Sequence, residues 1–349
     1  MKKWFYFTLF GIVFWMAIVG GITLYVDPLF HFHAPISNLE FPIQDFQQRY
    51  ICDGMARNFD YDALIVGTSM TENFKPSELD ELFGVNSLKL SVSGASFREV
   101  DMTLKQALSS NNDVKIVVRG LDLNSFPRDK DYVEDIGQMY LLNDKHVDDV
   151  NYLFNKSIFN KYVVATLEYT QNGNKTPSRD EMFNWMKGQK FGRDIVLNSY
   201  ELEKSKLIRE FSTDEFQNVS ANISQNIIEA VEENSGTCFY LFFPPYSICE
   251  WDVKNSDGGI EYWIDLQKCA IEQILQYDNV KLFSFDDNFD LVCNLDNYKD
   301  RGHYGEWVNS YILESMKNGE HQLKLDNYQD YIDRITDFYT KYDFASLHN

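Results

Sequence analysis

Residues 4–26 constrain this chain more than any other stretch: 23 positions without a charge, preceded by Lys2 and Lys3 and ended by Asp27. As a helix the run would be about 35 Å long, enough to cross a hydrocarbon core. A cleaved leader has a shorter apolar run and a small-x-small cleavage site, so an uncleaved anchor over 4–26 is expected, with a cytoplasmic tip at 1–3. The two lysines lie before the run and acidic residues dominate beyond it. The positive-inside bias then puts the amino terminus in the cytoplasm and everything after Asp27 outside. The expected location is the cell membrane, crossed once, with an extracytoplasmic main domain.

The remaining length suits one large domain or two modest ones, and 44% hydrophobic residues can build a core, which excludes a disordered chain. Against 53 acidic residues stand 32 lysines and arginines, a net charge of -21. Such a field repels phosphate backbones, so nucleic acid is excluded as a partner, and no local basic pocket for a polyanion is visible in the sequence. Cys52, Cys238, Cys249, Cys269 and Cys293 form no Cys-x-x-Cys pair, so zinc is not signalled. Two readings stand for them: one disulfide, or small buried hydrophobes. His31 and His33 lack the carboxylate or cysteine motif that would complete a metal site and read as interfacial. No cofactor or metal is expected.

An irregular juxtamembrane stalk is expected over 27–60, followed by a main domain over 61–318. Five strands are expected at 63–66, 86–92, 114–121, 237–243 and 280–285. Helices are expected at 76–83, 97–108, 213–233, 260–276 and 304–317. The alternation and the short, continuous apolar runs argue for a parallel sheet covered on both faces. Residues 126–236 hold weak periodicity, at least until residue 213, and read as an insertion or lid; 319–349 read as a helical extension. In such sheets the working residues lie beyond the carboxyl ends of the strands.

Ser69 lies where the first strand ends, in Gly67-Thr68-Ser69, with its hydroxyl at the mouth of the sheet. Asp300-Arg301-Gly302-His303 follows the fifth strand, and His303 is the histidine with an aspartate three residues before it. A carboxylate at that spacing can orient the imidazole that takes the serine proton. With these residues in that order the chain resembles the SGNH, or GDSL-like, hydrolase superfamily, in its membrane-anchored cell-envelope branch. That branch includes accessory proteins of polysaccharide O-acetylation and teichoic acid D-alanylation.

The resemblance covers 61–125 and 237–318. It implies a three-layer α/β/α fold with a five-stranded parallel sheet, Ser69 as nucleophile, His303 as base, Asp300 as its orienter, and the N–H groups of Ser69 and Gly94 as oxyanion donors. Two departures stand out. Thr68 replaces the aspartate of the frequent Gly-Asp-Ser, and the third-strand block reads Gly120-Leu121-Asp122-Leu123-Asn124, where Asn124 has two readings, oxyanion donor or turn residue. Asp122 reads as a cap or an ion-pair partner. Pro244-Pro245-Tyr246 reads either as the rim of the cleft or as a strand stop. The implied function is a serine esterase or O-acyltransferase working through an acyl-serine on acylated cell-envelope carbohydrate. Its implied partners are that carbohydrate or an acyl donor, and a membrane-embedded acyltransferase. The other reading is a non-catalytic assembly or binding protein that keeps the fold for envelope polymer export or modification.

Overall fold

The computed structural model describes residues 2–43, 48–111, 113–134, 141, 147–201 and 206–348. The chain forms two compact units, one of residues 1–60 and 135–178, the other of 61–134 and 179–349. The expected insertion at 126–236 is thereby shared between them, and part of it, within 135–146 and 202–205, lies outside the described residues.

The first unit carries the helix Lys2–Val26, long and apolar enough to cross a membrane. Its early turns expose large apolar side chains such as Trp4, Phe7 and Phe10, as a lipid-facing helix does. Its last turns bury Gly20, Thr23 and Val26. At Gly20 a Cβ would stand 3.1 Å from the Phe154 ring, so a small residue fits there. Asp27 closes the helix with its buried carboxylate, accepting N–H bonds from His31, Phe32 and His33 at 2.7–3.0 Å and the Tyr152 hydroxyl at 2.8 Å. The described residues of the expected irregular stalk, 27–43 and 48–60, thus belong to this unit and include the helix Gln48–Asn58. The two histidines beyond Asp27 are tied down, His31 to Asp149 at 2.9 Å and His33 to the Leu24 carbonyl at 2.9 Å.

The second unit is α/β. Its strands are β1 (Ala63–Gly67), β2 (Ser87–Ser91), β3 (Ile116–Gly120), β4 (Leu207–Ile208), β5 (Cys238–Phe243), β6 (Asp257–Gly258), β7 (Val280–Ser284) and β8 (Gln322–Leu323). Six of them build the central sheet in the order β2-β1-β3-β5-β7-β8, and β4 with β6 makes a separate short pair. The five expected strands pair in parallel, and β8 adds a sixth, antiparallel to β7. The five-stranded expectation therefore falls short by one edge strand. β8 has two residues, follows His321 at a φ of 58°, and shows no apolar alternation for a sequence reading to detect.

The strands β1 and β2 are buried along their whole length; β1 reads as an unbroken apolar run, while β2, Ser-Leu-Lys-Leu-Ser, buries a lysine as well. The helices Pro76–Phe83 and Glu306–Asn318 pack on one another, while Ile260–Ile274 packs on Thr213–Ile223 and Tyr328–Lys341. The chain leaves β1 towards β2 and returns to place β3 on the other side of β1, so the order reverses there. Such a reversal opens a crevice beyond the carboxyl ends of the strands. All five cysteines are free thiols, with Cys52, Cys249 and Cys269 buried. Burial pushes the Cys249 thiol up to about 12 and keeps it protonated.

Beyond β7, Asp286 is buried and accepts from Gln267 Nε2 at 2.9 Å, Ser284 Oγ at 3.3 Å and the Tyr331 hydroxyl at 3.4 Å. Burial outweighs these bonds and pushes its carboxyl up to about 6. A carboxyl raised on folding favours the protonated native state. Its contribution to stability is present below the unfolded value near 4 and is lost as pH rises through about 6. Asp286→Asn removes the titrating proton but keeps the shape. The melting temperature of the variant should therefore gain on the wild type as pH rises from about 4 to above 6; a gap that does not change with pH would refute the assignment.

Candidate active site

β1 ends at Gly67, whose φ of 150° and lack of a Cβ let the chain turn sharply; a Cβ there would stand 2.7 Å from Thr71 Cγ2. The turn closes through Thr71, whose N–H and hydroxyl both donate to the Thr68 carbonyl, at 3.0 and 2.9 Å. Its hydroxyl also meets Ser91 Oγ, at the end of β2, at 2.7 Å. The buried Lys89 ammonium, from β2, donates to the carbonyls of Glu72 at 2.5 Å and Phe74 at 2.9 Å. A half-buried Ser69 side chain stands on this fixed loop.

His303 arrives from the other end of the unit. Asp300 Oδ1 accepts the backbone N–H groups of Gly302 and His303 at 2.9 and 2.8 Å, which folds the four-residue segment round its own carboxylate. The imidazole Nδ1 faces the same carboxylate at 2.9 Å from Oδ2, and Nε2 lies 2.8 Å from Ser69 Oγ. Burial pushes Asp300 up, but the hydrogen bonds and charge of His303 and the two N–H bonds reverse that and hold it at about 2. It is a carboxylate throughout the neutral range. The helix that follows fixes the register, since Asn309 Nδ2 and the Tyr304 hydroxyl both donate to the Met70 carbonyl, at 3.1 and 3.4 Å.

The structure thus brings Ser69, His303 and Asp300 into one hydrogen-bonded relay. Gly94 follows β2 with a φ of 66° and is exposed. Among the described residues neither its N–H nor that of Ser69 has an acceptor. Asn124, in the turn Leu123–Ser125, is engaged elsewhere. Its Nδ2 donates to Glu250 Oε1 at 3.1 Å, and its Oδ1 accepts from the buried Lys254 ammonium at 2.7 Å. Glu250 also pairs with Arg301 at 2.9 Å. Lys254 is a charge that the sequence reading missed, and it needs these partners because a buried ammonium without them is costly.

Asp122 stands at the N-cap of the turn Leu123–Ser125, but its side chain makes no capping bond, and among the described residues it forms no ion pair. Its buried carboxylate accepts from Thr68 Oγ1 at 2.7 Å and from the Tyr246 hydroxyl, and so joins the serine loop to the end of β3. Burial pushes its carboxyl up against the pull of those two bonds. Tyr246 also lies beside Gly302, where a Cβ would come 3.5 Å from its ring, so the Pro-Pro-Tyr segment shapes this end of the sheet.

Trp185 was not legible in the sequence. Its indole Nε1–H donates to the Ser69 carbonyl at 3.1 Å, its backbone N–H to Asn73 Oδ1 at 3.2 Å, and its ring meets the His303 ring edge-on at 5.5 Å. One side chain therefore touches two of the three members of the relay. Among the described residues no cluster of His, Cys, Asp and Glu is arranged to hold a metal ion. Comparison with known proteins finds no family model and no curated relative that matches this chain.

Two outcomes are expected. Asn124→Ala should cost about 1–3 kcal/mol of stability, because Lys254 loses an acceptor, while Ser69 reactivity falls less than about tenfold; a fall of about 100-fold at an unchanged melting temperature would instead make Asn124 an oxyanion donor. Trp185→Phe keeps the ring edge but loses the indole hydrogen bond. It should slow the reaction of Ser69 with a fluorophosphonate by about threefold to tenfold, and Trp185→Ala should slow it further. Equal rates in all three proteins would show that Trp185 does not position the serine.

Proposed function

We propose that this chain is a membrane-anchored serine esterase or O-acyltransferase of the SGNH type, acting outside the membrane on acylated cell-envelope carbohydrate. The observation that carries the reading is the relay from Ser69 Oγ to His303 Nε2 at 2.8 Å and from His303 Nδ1 to Asp300 at 2.9 Å. His303 Nε2 takes the serine proton as Ser69 Oγ attacks the ester carbon, and Asp300 steadies the resulting imidazolium. The tetrahedral oxyanion meets the two unengaged N–H groups, of Ser69 and Gly94. Its collapse returns the proton to the leaving alkoxide and leaves an acyl-serine. Water, or a sugar hydroxyl, then gives its proton to His303 and takes the acyl group, and His303 returns that proton to the departing Ser69 Oγ. Partners of the same kind follow from this reading: the carbohydrate, an acyl donor and a membrane-embedded acyltransferase.

The apolar run 4–26 and the lysines before it favour an extracytoplasmic site. Protease added to intact cells should remove the main domain while a cytoplasmic control survives. One observation favours the binding-protein reading, namely the commitment of Asn124 to Glu250 and Lys254, which leaves the hole with backbone donors alone. A fluorophosphonate separates the two readings: it should label the wild type at Ser69 and not label Ser69→Ala. Ser69→Ala and His303→Ala should each cut ester turnover by orders of magnitude, and the double variant should lose little more. An unlabelled wild type, or additive losses, would leave the binding-protein reading in place.

A further inference from the structure

Beside the relay lies an aromatic run that the proposed chemistry does not use. Trp185 stacks on Phe191 at 6.5 Å, and Phe191 meets Trp307 edge-on at 5.0 Å. Trp307 stands four residues after His303, and its side chain is 44% exposed. Its indole is nevertheless held still, because Nε1–H donates to Asn297 Oδ1 at 3.0 Å and the ring is seated against Gly305 so closely that a Cβ there would have no room. An exposed indole fixed from one side is a platform for the C–H face of a sugar ring, which meets the π face without stripping hydroxyls of water.

The charge around this platform runs against the sign of the whole chain. The segment 185–193 holds Lys187, Lys190 and Arg193 and no acidic residue, within a protein of net charge -21. The Lys299 ammonium lies 3.9 Å from the centre of the Trp185 ring, next to the catalytic aspartate in sequence. Among the described residues Lys187, Lys190 and Lys299 have no carboxylate partner, whereas Lys75, Lys105 and Lys115 each do. The neighbouring acids are occupied: Glu306 by Lys75 at 3.4 Å, Glu250 by Arg301 and Lys254, Asp300 by His303, and Asp296 Oδ1 by the Arg193 N–H at 3.2 Å.

We propose that Trp307 and Lys299 form a sugar subsite for an acidic glycan, with a pyranose ring on the Trp307 indole and a carboxylate of the same glycan on the Lys299 ammonium. Lys187 and Lys190 add attraction along the chain of sugars. The inference rests on the acyl-transfer reading and deepens it by naming the class of carbohydrate. It also supplies the local basic surface that the amino-acid sequence did not reveal. Because exposed ammonium groups act through a screened field, binding must weaken with salt.

The test is calorimetric titration of full-length Ser69→Ala protein in detergent, with tetragalacturonate and with cellotetraose, at low ionic strength. Tetragalacturonate should bind at least about tenfold more tightly than cellotetraose. Lys299→Gln should remove most of that preference, and Trp307→Ala should weaken both sugars by about tenfold with a melting temperature within about 2 °C. Lys299→Gln alone decides the case if Trp307→Ala does not fold. Equal affinities, no binding of either sugar, or a preference that survives Lys299→Gln overturns the proposal. Binding is read here without the nucleophile, so the two ideas fail separately. A labelled Ser69 in the wild type with no acidic preference removes the subsite alone, whereas an acidic preference with an unlabelled Ser69 removes the acyl-transfer reading alone.

Discussion

The bond between Ser69 Oγ and His303 Nε2 joins residues 234 positions apart, and much of the second unit serves to hold its two ends in register. A hydrogen bond of this kind tolerates displacements of only a few tenths of an ångström. Neither end rests on a long element. Ser69 stands on a loop closed by Thr71 and braced by Lys89, and His303 on a four-residue segment wrapped round its own aspartate. What couples them is the Met70 carbonyl, adjacent to the serine, which accepts from both Tyr304 and Asn309 on the histidine side. The loop is also fastened sideways to β3 through Thr68 and Asp122.

That fastening places buried polar groups at the end of the sheet where an apolar core would be cheaper. Asp122, Lys254 and Glu250 are all nearly inaccessible, and each is hydrogen-bonded. Buried polar groups with partners are directional, while apolar contacts tolerate sliding. At the mouth of a parallel sheet, where loops replace the backbone ladder, direction is the scarce quantity. The network at Asn124 fits this role: its carboxamide joins Lys254 to the turn after β3 instead of waiting for a substrate.

The legible part of the sequence was the part with a period or a sharp boundary. β1 and β5 are runs of apolar residues with turn signals at their ends, β3 is apolar up to Arg119, and the helix Phe97–Ser110 repeats its apolar residues at helical spacing. Ser69 and the Asp300–His303 pair were legible because position after a strand and a spacing of three are both local properties. Trp185 and Lys254 were not, since their partners come from distant segments and nothing near them marks a site. β8 failed for length. The fate of 126–236 failed for a different reason: contacts, which sequence periodicity does not report, decide to which body a weakly patterned segment belongs.

The division of the chain into 1–60 with 135–178 and 61–134 with 179–349 has a practical consequence for anyone who would separate the α/β unit from the long apolar helix. Clipping off the anchor at Asp27 or at Tyr61 does not release an intact domain, because 135–178 would stay behind, stripped of half its neighbours. A cut at Tyr61, for example, would take from Tyr152 both Asp27 and Leu29, to which its buried hydroxyl is bonded at 2.8 and 3.2 Å. Soluble material is better sought by deleting both stretches together and joining Glu134 to Arg179 with a flexible tether, so that the orphaned half goes with its mate.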